Sequence, residues 1–297
     1  MNKLPPSSRP LRTRFAPSPT GLLHLGHAYA ALFAAKMARE SGGQLVLRIE
    51  DIDTGRCRPE FEDAIYKDLA WLGLSWESPV RRQSEHMNDY QTALDKLDDL
   101  GLLYPCFCTR KDILAEIETA NGAPHLTKNG PDGPLYPGTC RTLNTDERAK
   151  RIADGTPFAL RLNMDLARKS APPLSWTDAN KGKIIATPEI FGDVVLARKD
   201  IPTSYHLAVT VDDHLQKIGL VTRGTDLFMA THIHRLLQAL LGLETPQYHH
   251  HDLITDAQGQ RLAKRNKAQT LRAIRKSNTQ SLRSFDGFKT LYDGLSS

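Results

Sequence analysis

The stretch QLVLRIED, residues 44–51, constrains the fold of this chain more than any other. Between Gln44 and two terminal acids it is apolar apart from one arginine, and it is too short for a typical helix. Apolar residues recur at helical spacing on both sides of it: Ala28, Ala31, Leu32 and Ala35 before, and Phe61, Ile65, Leu69 and Leu72 after. The first pattern predicts a helix from Leu25 to Arg39. Ser41-Gly42-Gly43 ends it, because glycine accepts the left-handed backbone of a helix C-cap. Pro59 opens the second helix with its φ already set. A buried strand between two helices, preceded by a short strand over residues 12–17, predicts an α/β fold with a parallel sheet. Ligands of such sheets bind beyond the C-terminal ends of the strands. Residues 17–27 and 50–53 fall at such ends and are expected to face one cleft.

A further helix is expected from about Tyr90 to Leu103. Residues 105–190 are rich in proline, glycine and polar side chains and read as an insertion. The strand pattern resumes at FGDVVLARKD and SYHLAVTVDD, and a helix follows from about Asp226 to Leu241. The chain thus divides into the first half of an α/β body (1–104), an inserted subdomain (105–190), the second half (191–270) and a short basic C-terminal extension (271–297). Internal repeats and low-complexity tracts are not found.

Charge separates the last part from the rest. The chain of 297 residues carries +5, but Gln258–Ser297 alone carries nine Lys/Arg against two Asp/Glu, so the remainder is mildly acidic. Such a segment either contacts phosphates, of a nucleotide or a nucleic acid, or is a solvated basic tail. No apolar run reaches membrane-spanning length, and the N-terminal stretch lacks the apolar core of a signal peptide, so a cytoplasmic protein without membrane contact is expected.

The chemistry concentrates in FAPSPTGLLHLGH, residues 15–27. A Pro-Ser-Pro-Thr-Gly turn leads into a helix start, where N–H groups and the helix dipole favour phosphate. His24 and His27 share one face of that helix at i, i+3. Taken alone, they also read as two surface histidines in a capped loop. In context, PSPTGLLHLGH resembles the "HIGH" signature of class I aminoacyl-tRNA synthetases, and RFAPSPTG is similar to their glutamyl branch. GQRLAKRNKA, residues 259–268, resembles the second signature, "KMSKS", with Lys264 at the second lysine. Arg261 replaces the first lysine and keeps its charge; Ala263 replaces the first serine and Arg265 the last. VDDHLQKIGLVTRGTDLFMATHIHRLLQALLG is similar to the segment before that signature, so the resemblance covers about residues 12–268.

The resemblance implies a Rossmann-like class I catalytic domain with ATP, accompanied by Mg²⁺, as substrate. His24, His27 and Lys264 would act on the triphosphate, with Pro17, Gly26 and Arg261 completing the ATP site. It implies an L-glutamate pocket built from Arg14, Phe15, Ala16, Pro17, Ser18, Glu50, Tyr205 and Arg223, in the contexts RFAPS, RIEDID, SYHLA and VTRGTD. Two arginines suit two carboxylates and Glu50 suits the ammonium, although the sequence does not say which arginine takes which carboxylate. Read singly, Glu50 and Arg48 also suit a structural salt bridge, and Tyr205 a core position.

Cys106, Cys108 and Cys140 lie within 35 residues of one another, while Cys57 stands apart and reads as structural. Three thiolates suit one structural zinc, and His125 is the ordinary chemical choice of fourth ligand. The resemblance points instead to Tyr136, four residues before Cys140. Of the three histidines 249–251, at most two converge at strand spacing, so a strand leading to the second signature is expected rather than another metal site.

Only 33 residues follow Lys264, so an anticodon-binding domain is not expected. A glutamyl core, a Cys/Cys/Tyr/Cys set and no such domain together resemble the glutamyl-queuosine tRNA(Asp) synthetases. That resemblance implies transfer of glutamate to the queuosine base of tRNA(Asp) by a monomeric enzyme. A fragment that charges a tRNA 3′ end and a non-catalytic RNA-binding descendant are the alternatives.

Overall fold

The computed structural model describes residues 10–120, 129–254 and 270–277, and Phe288. Strand β1 (Thr13–Phe15) leads through the Pro-rich turn to helix α1 (Leu25–Glu40). Strand β2 (Leu45–Ile49) is buried throughout, and helix α2 (Pro59–Trp71) follows with proline in its first turn. Strand β3 (Glu77–Arg82) completes a parallel sheet of order β1-β2-β3, in which Arg14 pairs with Val46. Gly42, at φ 65°, turns the chain from α1 into β2. Gly43 needs its missing Cβ for another reason, since a methyl there would lie 1.9 Å from the Leu11 carbonyl oxygen.

Helix α3 (Met87–Asp99) leads into strand β4 (Leu103–Cys106), helix α4 (Arg110–Ala120), the short pair β5 (Asn129–Gly130) and β6 (Gly133–Pro134), and helix α5 (Thr145–Ala153). Strand β7 (Ala159–Leu162) and helix α6 (Met164–Lys169) follow, then strands β8 (Ser175–Asp178), β9 (Gly182–Ile185) and β10 (Val195–Ala197). Strands β10, β7 and β4 form an antiparallel sheet. Helix α7 (Tyr205–Leu215), strand β11 (Leu220–Gly224), helix α8 (Ala230–Leu241), strand β12 (Gln247–His251) and helix α9 (Leu271–Ser277) complete the described chain. The second α/β sheet has the order β11-β12-β8-β9, with β11, β12 and β8 parallel. Two strands from the 105–190 stretch therefore hydrogen-bond into the sheet of the second half.

The Arg12 carbonyl accepts from Gly219 N (3.0 Å) and Leu220 N (3.1 Å), which sets β11 beside β1. From this junction the first sheet runs outward to β2 and β3, and the second to β12 and β8. A crevice forms where strand order reverses in this way, at the C-terminal ends of the two central strands. The site lies there.

SYHLAVTVDD, expected as a strand, is helix α7. Its Val and Thr residues carry a strand-like signal, but the Ser204 Oγ accepts from Leu207 N and caps a helix. Every residue from Leu207 to Asp213 is buried, so this helix lacks the polar stripe that reveals amphipathic helices in sequence. Leu207, Ala208 and Val211 pack with Ile233, Leu236 and Leu237 of α8 in one core. A fully buried side chain of this kind contributes about 1.5–3 kcal/mol. A second core joins α1, β2 and α2, and includes Leu271, Ile274 and Phe288. These residues of the basic C-terminal stretch are thus structural, and Arg275 pairs with buried Asp68 at 3.1 Å. Among the described residues no helix is long and apolar enough to cross a membrane.

Candidate active site and thiol cluster

A cleft of about 290 Å³ opens at the junction of β1 and β11. Arg14, Phe15, Ala16, Pro17, Ser18, His24, Gly26, His27, Glu50, Tyr205 and Arg223 all line it. Residues from distant parts of the sequence therefore meet in one cleft. Arg261 and Lys264 lie outside the described residues. Their described flanks reach the site, for Ile254 lines the cleft and Thr270 forms a β-bridge with His24. Tyr29, Asp226, Leu227, His251 and Leu253 line it too, and the sequence reading did not select them.

His24 is the N-cap of α1, and its Nδ1 accepts from Gly26 N at 3.1 Å. His27 Nδ1 accepts from His24 N at 3.2 Å. Both bonds meet backbone donors, so each neutral ring carries its proton on Nε2. The ring centroids are 3.9 Å apart. Two imidazoles with fixed tautomers thus stand at a helix N-terminus, a position suited to an anion.

Arg14 is held by Asp213 Oδ1 (3.1 Å, from Nε) and by the Thr222 carbonyl (2.8 Å, from Nη1). Glu50 follows β2, and its Oε1 accepts from Arg48 Nη2 at 3.0 Å. The salt bridge seen as an alternative in the sequence is therefore present, and it leaves Glu50 lining the cleft. Burial raises the Glu50 carboxyl above its ordinary value, against the pull of Arg48 and Arg14. Asp213 is held below the usual carboxylate range because Arg14 and Arg48 outweigh its burial. Burial raises the Tyr205 phenol, which stays a neutral donor. Asp51 and Asp53 do not line the cleft. Asp51 accepts from Ser84 N and Oγ, and Asp53 from Arg56.

Arg223 comes from β11 and is 5% exposed. Its Nε donates to His250 Nε2 (3.1 Å), Nη1 to His234 Nδ1 (3.2 Å) and Nη2 to Thr231 Oγ1 (2.6 Å). His250 sits beside it on β12, while His249 and His251 pack against Phe33 on the opposite side. The three histidines divide as strand spacing requires.

The second cluster lies at the end of β4. The Cys106, Cys108 and Cys140 sulfurs are all within 4.8 Å of one another. Cys108 Sγ is 3.4 Å from Cys140 Sγ and 3.5 Å from the Tyr136 hydroxyl, which also accepts from Cys140 N at 2.8 Å. Zinc–sulfur bonds of about 2.3 Å in a tetrahedron place sulfurs about 3.8 Å apart, so the spacing fits. Burial and the neighbouring thiols push Cys108 up to about 11, against a hydrogen bond with Tyr136. Cys140 moves down despite burial, because Tyr136, the Phe107 N–H and Cys108 donate to its sulfur. The Tyr136 ring lies 3.9 Å beneath the Arg161 guanidinium. His125 lies outside the described residues.

A family model described as tRNA synthetases class I (E and Q), catalytic domain, matches residues 10–290, and the chain belongs to that family. The Glutamyl-Q tRNA(Asp) synthetase of Rhodobacter capsulatus is 50% identical over 269 residues, covering 89% of this chain and 94% of its own length. The protein of the same name from Nitratidesulfovibrio vulgaris is 40% identical over 294 residues, covering 96% and 87%. Among solved structures, the glutamate-tRNA synthetase of Elizabethkingia anophelis matches with a TM-score of 0.74 and 29% identity over 87% of this chain. The chain spans about half of that structure's length, 53%.

Proposed function

We infer that this chain activates L-glutamate with ATP and transfers the glutamyl group to the queuosine base of tRNA(Asp). One observation carries the activation step. Arg14, Glu50, Tyr205 and Arg223 line the same cleft as the His24–His27 pair. Two buried guanidiniums, one carboxylate and one neutral phenol match the two carboxylates and one ammonium of glutamate. The acceptor is supported by relatives that bear that name and share most of their length with this chain.

In the first step the glutamate α-carboxylate attacks the α-phosphorus of ATP, and pyrophosphate leaves. Arg14, Tyr205 and Arg223 hold the carboxylates, Glu50 accepts from the ammonium, and Pro17 and Ser18 close the turn around them. His24 and His27 donate from Nε2 to phosphate oxygens as charge builds there. Gly26 belongs to the same helix start, and Arg261 and Lys264 are assigned to the triphosphate by their place in the second signature. Mg²⁺ enters with ATP as part of that substrate. In the second step a hydroxyl of the queuosine cyclopentene ring attacks the acyl carbonyl of glutamyl-adenylate and releases AMP. Positioning in the cleft supplies much of the rate here, because the adenylate is already activated.

Cys106, Cys108, Cys140 and Tyr136 would hold one zinc ion. Bound there, zinc would cross-link the end of β4 to the segment at residues 136–140. The protein is assigned to the cytoplasm as a tRNA-modifying monomer. The experiment is an exchange assay, in which labelled pyrophosphate should enter ATP only when glutamate is added. Exchange without glutamate dependence, or none at all, would refute the activation step.

A further inference from the structure

We propose that Asp178 and His250 are positioning residues for substrate recognition, clamping Arg223 through an uncharged acceptor so that its positive charge is kept for a substrate carboxylate. The inference rests on the reading that Arg223 contacts glutamate.

The two arginines of the cleft are held in opposite ways. Arg14 forms a direct ion pair with Asp213. No carboxylate lies within ion-pair distance of Arg223 among the described residues, although Arg223 is buried. Its three bonds run to a histidine on β12, and to a histidine and a threonine on α8. An arginine can only donate, so both imidazoles must accept at the nitrogen that faces it. His250 therefore needs its proton on Nδ1, and Nδ1 lies 2.7 Å from Asp178 Oδ2. His234 needs its proton on Nε2, which faces His206 Nδ1 at 3.2 Å. Burial pushes His250 down to about 4, helped by Arg223 and opposed by Asp178, so the ring is neutral at working pH.

Asp178 is itself fixed. Its Oδ1 accepts from Asn180 N (2.9 Å) and Lys181 N (3.1 Å), and its Oδ2 from His250 N (3.2 Å) as well as the ring. These bonds make Asp178→Asn informative. A rotamer that puts the asparagine NH₂ group at the Oδ1 position leaves the Asn180 and Lys181 N–H groups unpaired. With the asparagine oxygen there instead, on its two backbone donors, the NH₂ group turns toward the His250 ring and opposes the His250 N–H. The ring must then accept at Nδ1 and carry its proton on Nε2, facing the Arg223 Nε–H. A donor opposes a donor, and the guanidinium loses its alignment. A carboxylate directly on Arg223 would hold it equally well but would compete with the substrate for its charge. One ring between Asp178 and Arg223 gives alignment without neutralisation.

Two readouts test the clamp on the full chain. Glutamate-dependent ATP–pyrophosphate exchange should show the glutamate KM of Asp178→Asn raised about tenfold or more. The ATP KM should stay within about twofold. Thr231→Val, which removes another acceptor from Arg223 at almost constant volume, should raise the glutamate KM in the same selective way. Equal losses for both substrates, or an unchanged glutamate KM, would overturn the proposal. The second readout is the histidine ¹H–¹⁵N spectrum of the wild-type protein, which should show His250 protonated on Nδ1 alone. Protonation on Nε2 or on both nitrogens would overturn the proposal equally. The spectrum needs no activity, so it still decides the matter if Asp178→Asn does not fold. It also separates a failed clamp from a failed assignment of substrate, which a wild type without glutamate-dependent exchange would reveal.

Discussion

Arg48 is fully buried, and the carboxylates of Glu50, Asp212 and Asp213 converge on it. Their combined charge raises its pKa despite the cost of burial, so it stays charged. Asp213 then holds Arg14, and Arg48 itself holds Glu50, so one buried cation orients two residues of the cleft. Removing it leaves Glu50 without an ion-pair partner among the described residues, and leaves Asp212 and Asp213 with Arg81 and Arg14 alone. Arg48→Met should therefore lose about 3–5 kcal/mol of stability in urea unfolding, the range for breaking a buried pair. A loss under about 1 kcal/mol would mean that the network is not structural. Glu50→Gln makes a different prediction. The amide oxygen can still accept from Arg48, but the charge facing the ammonium is gone. The glutamate KM in the exchange assay should rise by roughly 30-fold or more, with the fold unchanged in circular dichroism. The sequence pointed to Arg14, Glu50, Tyr205 and Arg223, which line one cleft, because each sits in a recognisable local context. It did not show Asp213, Asp178 or Thr231 as their supports. Asp178 and His250 are 72 residues apart, and no local pattern marks such a pair.

Helix α7 illustrates what periodicity loses at the level of elements. A helix buried along one whole stretch reads like a strand when valines and threonines fill it, and the Ser204 cap was the remaining signal. Helices α1 and α2 were legible because a glycine stop and a first-turn proline mark their ends. Strand β12 followed its two-residue period, and that period has a consequence for acid stability. His249, His250 and His251 are all shifted down by burial, as are His232 and His234 of α8. For His250 the folded value is about 4 against an ordinary 6.5. The unfolded chain takes up protons first as pH falls, so the contribution is complete above 6.5 and is lost as pH drops toward 4. His250 alone accounts for a loss on the order of 3 kcal/mol over that window. The urea midpoint should therefore fall steadily from pH 7 to pH 4.5, and a rise in that range would contradict the neutral, buried histidines.

Across the whole molecule, both clusters are built where elements distant in sequence converge. The cleft forms where strand order reverses beside β1, and the thiols meet where the end of β4 faces residues 136–140. Zinc would draw the proton off the Cys108 thiol, which burial pushes up. The purified protein should carry about one zinc per chain, and Cys140→Ser should lose it together with thermal stability. Equal zinc content in both proteins would remove the metal from the account. The C-terminal stretch was harder to read, because its charge masked the apolar Leu271, Ile274 and Phe288 that anchor it to the first core. The residues of the second signature, Arg261 and Lys264, lie outside the described residues and rest on sequence. The central claim concerns the destination of the glutamate. The protein should be incubated with ATP, labelled glutamate and tRNA(Asp), with and without queuosine, and the RNA then digested with nuclease. Label is expected on the queuosine nucleoside and not on RNA that lacks it; label at the 3′-terminal adenosine alone would overturn the assigned acceptor.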